Sequence, residues 1–129
     1  MTLKNAVIAV AIPFALATSA IADEIMTSAQ PAGKTLTVDS VSIADDGWLV
    51  VHAIVDGAPV VPASIGHAAV KAGTTKNVVV ELSEPVEAGS KVLTMLHVDK
   101  GTIGEYEFPG DDHPVMQGDK PIVQPLSIK

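Results

Sequence analysis

Cysteine and arginine are both absent from the 129 residues, tryptophan and tyrosine occur once each, and phenylalanine occurs twice. Without thiols there can be no disulfide, no thiolate zinc centre and no cysteine nucleophile, and the cysteine ligand of a blue-copper centre is missing. A small domain so composed has to hold together by strand pairing and core packing alone. Positive charge is scarce too: 8 basic residues stand against 15 acidic ones, for a formal charge of −7. Such a surface repels phosphate backbones and anionic bilayers, which argues against nucleic acid as a partner. Long hydrophobic runs are missing as well. The longest, Ala6 to Ala17, has 12 residues, well short of the ~20 that cross a bilayer as a helix. No segment keeps an apolar period of 3.6 residues between capping signals, so helices are not expected.

The N-terminal run has a different use. Lys4 supplies a positive n-region, Ala6 to Ala17 an apolar h-region, and Ala20-Ile21-Ala22 the small-x-small triplet read by signal peptidase. Residues 1–22 are therefore expected to be a cleaved signal peptide, and the product to be exported to the periplasm or beyond. Every acidic residue lies after Ala22, so cleavage with loss of Lys4 leaves 107 residues at a formal charge of −8. That length suits one domain. Residues 23–34 are small and polar and are broken by Pro31 and Gly33, which reads as a flexible arm.

From Thr35 to the end, residues 35–129, short β-prone runs alternate with turns. The runs are 35–43, 48–55, 63–71, 77–82, 91–99, 104–108 and 122–128, and Asp45-Asp46-Gly47, Asp56-Gly57-Ala58-Pro59, Ala72-Gly73, Glu87-Ala88-Gly89 and Pro109-Gly110-Asp111 stand between them. Seven strands at this spacing indicate an all-β, immunoglobulin-like antiparallel β-sandwich. In 91–99 the alternation puts Val92, Thr94, Leu96 and Val98 on a buried side and Met95, His97 and Asp99 on a more accessible one. In the run from Trp48 both alternate sets are apolar, the pattern of a central strand covered on two sides. Pro121 and Pro125 point to an edge strand at the C-terminus.

The segments Gly47-Trp48-Leu49-Val50-Val51-His52, Ile65-Gly66-His67, Met95-Leu96-His97-Val98-Asp99 and Tyr106-Glu107-Phe108-Pro109-Gly110 together resemble a family of exported domains of unknown function in archaeal and bacterial surface or secreted proteins. The resemblance runs from about Thr35 to Ile128 and implies a β-sandwich without an assigned activity. Where some members carry an Asp-rich turn, this chain has Lys100-Gly101-Thr102-Ile103, a departure from a calcium-type loop.

Candidate chemistry rests on histidine, methionine and carboxylates. Met95 with His97, and His113 with Met116, pair thioether and imidazole, a ligand mix that suits copper in its reduced state. Those four residues are the candidate metal set, and His52 and His67 are possible additions. The acidic group Asp99, Glu105, Glu107, Asp111 and Asp112 offers oxygen ligands but lacks the Asp-x-Asp-x-Asp-Gly spacing of a calcium loop. No serine sits in a Gly-x-Ser-x-Gly elbow. The composition therefore points to a non-enzymatic module that binds a protein or surface ligand or has a structural role, with a copper carrier as the alternative and no required cofactor.

Overall fold

The computed structural model describes residues 22–129, and the leader expected over 1–22 lies, apart from Ala22, outside the described residues. Ten strands follow in order: β1 (Glu24–Met26), β2 (Gly33–Ile43), β3 (Gly47–Val55), β4 (Ala58–Pro59), β5 (Gly66–Val70), β6 (Gly73–Val86), β7 (Lys91–Val98), β8 (Met116–Gln117), β9 (Lys120–Pro121) and β10 (Val123–Ser127). There is no helix among the described residues. All strand pairs are antiparallel, which hairpins and short links can connect.

The first sheet has the order β1-β2-β6, and the second has the order β10-β7-β3 with β5 on the far side of β3. β3 also runs on into a short hairpin with β4, and β8 pairs with β9. The two main sheets face each other as a β-sandwich. Leu36, Val38, Val41 and Ile43 of β2 and Val78, Val80 and Leu82 of β6 meet Leu49 and Val51 of β3, Val92 and Leu96 of β7 and Leu126 of β10. Alternation along each strand supplies these residues, because a period of two turns every second side chain inward. The expected edge strand is found: β10 lies at the end of its sheet, and Pro125 stands opposite Leu93 without having to donate to a further strand.

Three local expectations are corrected. The arm expected over 23–34 contains β1, which pairs with β2 in the register Ile25↔Val41 and buries Ile25 in the core. A lone isoleucine among polar residues has too little pattern to signal a strand, yet the exposed edge of β2 is a template that three residues can fill. The run Gly104 to Phe108 is no strand and lies within a long loop between Asp99 and Pro114. The expectation that β7 shows an accessible face at Met95 and His97 fails for the same reason. That loop folds back over the face, leaving His97 fully buried and Met95 7% exposed.

Candidate functional site

The register of the second sheet decides which side chains share its outer face. Trp48 lies opposite His97, Val50 opposite Met95 and His52 opposite Leu93, while β5 sets His67 against Val50. Side chains two apart share a face, so Trp48, Val50, His52, His67, Met95 and His97 form one patch directed away from the main core. The 99–114 loop covers that patch with Tyr106 and Phe108. The centroids of His97 and Phe108 are 4.7 Å apart, those of His67 and Tyr106 4.6 Å, and those of Trp48 and Tyr106 5.8 Å. Most of these pairs meet edge to face, the arrangement that aromatic quadrupoles favour. Two of the four histidines, His67 and His97, between them thus meet every aromatic residue that follows the leader, and His52 stands beside His97.

The covering loop is tied down by its own carboxylates. Asp112, fully buried, accepts hydrogen bonds from the backbone N–H of Lys100 at 2.6 Å and of Glu107 at 2.9 Å. Glu107 accepts one from Thr102 N–H at 2.7 Å, and Asp99 accepts one from Gly104 N–H at 3.0 Å. Gly101 is required where the loop turns, because its φ is +67° and a Cβ there would stand 2.6 Å from the Asp111 carboxylate. The end of the loop docks on β7, with Val98 N–H donating to the His113 carbonyl and Val115 N–H to that of Leu96. Three of the five acidic side chains grouped by the sequence, Asp99, Glu107 and Asp112, therefore organise backbone donors.

The two fully buried imidazoles have defined tautomers. His97 Nδ1 lies 2.7 Å from the Asp112 carbonyl, and His52 Nδ1 lies 2.8 Å from the Ala63 carbonyl and 3.1 Å from that of Val60. A carbonyl has no proton to give, so Nδ1 donates in each ring and Nε2 keeps a bare lone pair. Both Nε2 atoms are buried without a hydrogen-bond partner, as are Trp48 Nε1 and Tyr106 Oη. A buried polar atom left so costs on the order of 1–3 kcal/mol. Burial pushes the His97 pKa below 6.5; the Asp112 carbonyl bond and the Asp112 charge oppose that shift, and His52 and His113 add to it. Burial lowers His67 in the same way. Tyr106 is pushed up to about 12, first by burial and then by the Asp112 charge, with the Ser64 hydroxyl weakly opposing the shift from beyond 3.5 Å.

Of the four candidate metal residues, the structure puts Met95 and His97 together on the covered face and keeps the other two at the surface. His113 is exposed with Nδ1 on the Pro114 carbonyl, and Met116 is 49% exposed in β8. Among the described residues no three His, Asp or Glu side chains gather closely enough to hold a metal ion. His52 is the residue whose part in the patch the sequence left unassigned. Its position four residues after Trp48 on a doubly covered strand was the available signal, since even spacing keeps both on one face. Beside the patch, Ser64, Ile65, Gly66, His67, Glu81, Ser83 and Tyr106 line an open cleft of about 480 Å³.

Two cell surface glycoproteins of Haloarcula hispanica, numbers 2 and 1, are each 29% identical to this chain, over 96 and 98 residues. Each alignment takes in 74% of the chain and 10% of the relative, so the chain spans about a tenth of the length of the curated relatives it matches. No solved structure matches. The family model that fits is a domain of unknown function, DUF7282, and it extends over residues 23–129, taking in both sheets and the covering loop; the chain belongs to that family.

Proposed function

We propose that this chain is an exported β-sandwich module with a binding or structural role, without enzymatic activity, that works at the cell surface or in the space outside the cytoplasm. The carrying observation is that a segment similar to this chain makes up about a tenth of two cell surface glycoproteins. In each relative the aligned segment is a small part of a much longer chain, and a domain of about 100 residues with its own core can form such a part. The N-terminal sequence supports export independently, through the Lys4 n-region, the short apolar run and the Ala20-Ile21-Ala22 triplet. The acidic surface keeps a secreted domain soluble, and the buried histidines and aromatics are engaged in holding a loop on a sheet.

Expression of the full sequence in an exporting bacterial host tests the reading. The expected product begins at Asp23 by intact mass and is recovered from the periplasm or the medium. An uncleaved protein confined to the cytoplasm would refute it.

A further inference from the structure

The outer-face patch contains a feature that packing alone does not use. His52 and His97 are both fully buried, and their ring centroids are 6.2 Å apart. Each ring has its Nδ1–H held by a backbone carbonyl, which leaves Nε2, nearly the opposite vertex, as an unpartnered lone pair. This is how metal-binding imidazoles are commonly prepared: a second-shell acceptor fixes tautomer and ring orientation. Between the His52 and His97 rows of the sheet lies the Val50–Met95 pair, so Met95 stands on the same face in the row between the two histidines.

We propose that His52 and His97 bind a single soft monovalent cation, cuprous copper, between their Nε2 atoms, with Met95 sulfur as a weak third ligand. The spacing fits. Nitrogen–metal bonds of about 2.0 Å, with about 1.1 Å from each ring centre to its nitrogen, put two rings on either side of one ion about 6.2 Å apart when the three are collinear. Collinear two-coordination belongs to closed-shell monovalent ions. Zinc requires four ligands and hard divalent cations require oxygen shells, and among the described residues no third His, Asp or Glu joins this pair. The donor set is also uncharged. The nearby Asp112 carboxylate has both oxygens taken by the Lys100 and Glu107 amides, so it is not offered as a ligand, while its charge beside His97 favours a bound cation. Imidazole and thioether together select reduced copper on softness.

This site differs from the Met95, His97, His113 and Met116 set that the sequence suggests, and it does not depend on where the chain works. The protein made from the full sequence is titrated anaerobically with cuprous ion and, in parallel, with silver ion as a closed-shell probe that air does not oxidise. Uptake of one equivalent is expected. The Nε2 nitrogen resonances of His52 and His97 should move together while their Nδ1 resonances stay in place, and X-ray absorption should show two nitrogen neighbours. His52→Asn and His97→Asn keep a side-chain N–H near the Nδ1 position and delete Nε2. Each should weaken binding by more than the ~10–100-fold that loss of a supporting partner costs. Met95→Leu, close in volume, should weaken it less, and His113→Ala and Met116→Ala should leave it unchanged. Equal uptake by the Asn variants, binding that depends on His113 or Met116, or no stoichiometric uptake with Nε2 resonances that respond only to pH each overturns the proposal. Cleavage and export of the chain are unaffected by any of these outcomes.

Discussion

Asp112 is the side chain whose removal should do most to the covered face of the second sheet. It is fully buried, and its two carboxylate oxygens take the N–H groups of Lys100 and Glu107, from the start and the middle of the same loop. Asp112→Ala strands both donors. Hydrogen bonds to a charged acceptor contribute about 1.5–3 kcal/mol each, and two bonds that share one carboxylate are not fully additive, so about 3 kcal/mol is expected for the pair. For a domain of this length such a loss lowers the melting temperature by on the order of 15 °C. The effect should also be local in character. Once the loop loosens, Tyr106 and Phe108 no longer cover Trp48 and His97, so the single tryptophan becomes a reporter. Urea unfolding followed by Trp48 fluorescence gives the energy, and amide hydrogen exchange at Lys100 and Glu107 gives the site. Asp111→Ala, at an exposed neighbour that makes no such bond, should stay within about 0.5 kcal/mol of the parent. If Asp112→Ala also stays within that margin and both amides remain protected, the carboxylate does not anchor the loop and the reasoning fails.

Acid should weaken the fold through its buried histidines. His97 titrates at 6.5 in an unfolded chain and lower in the folded one, and His67 shifts the same way. Between those values the unfolded chain binds the additional protons, so this part of the stability is complete above about pH 6.5 and is lost as pH falls toward the folded values. Melting temperatures across that window should fall on the acid side, and His97→Asn should flatten the slope. Tyr106 should ionise only near pH 12, as followed by phenolate absorbance. Because its buried hydroxyl has no hydrogen-bond partner within 3.5 Å and Ser64 interacts with it only weakly, Tyr106→Phe should be neutral or slightly stabilising in urea unfolding. Gly47→Ala should destabilise by about 1–3 kcal/mol in the same assay, because a Cβ there runs into the His97 carbonyl oxygen and within 2.8 Å of the Ile43 side chain.

Much of the sandwich could be read from period-two alternation. β3 as a strand covered on both faces, β10 as an edge strand and the apolar sets Leu49/Val51 and Val92/Leu96 follow from side chains alternating across a pleated backbone, a local property. β1 was hidden because three residues carry no period, and the 104–108 segment misled because Tyr106 and Phe108 alternate with Glu105 and Glu107 as a strand would. Their partners are carboxylates of the same loop, which no local pattern reveals.

Composition alone determined the chemistry open to this protein: with no cysteine or arginine, its soft ligands are histidine and methionine, and its surface is acidic. The strand pattern then put Met95 and His97 on one face. Only the tertiary structure decided that His52 belongs with them while His113 and Met116 do not, because that depends on the β3–β7 register and on a loop that closes over the sheet. Register is set by burial across both faces at once, a condition that strands far apart in sequence satisfy together and that neither encodes alone.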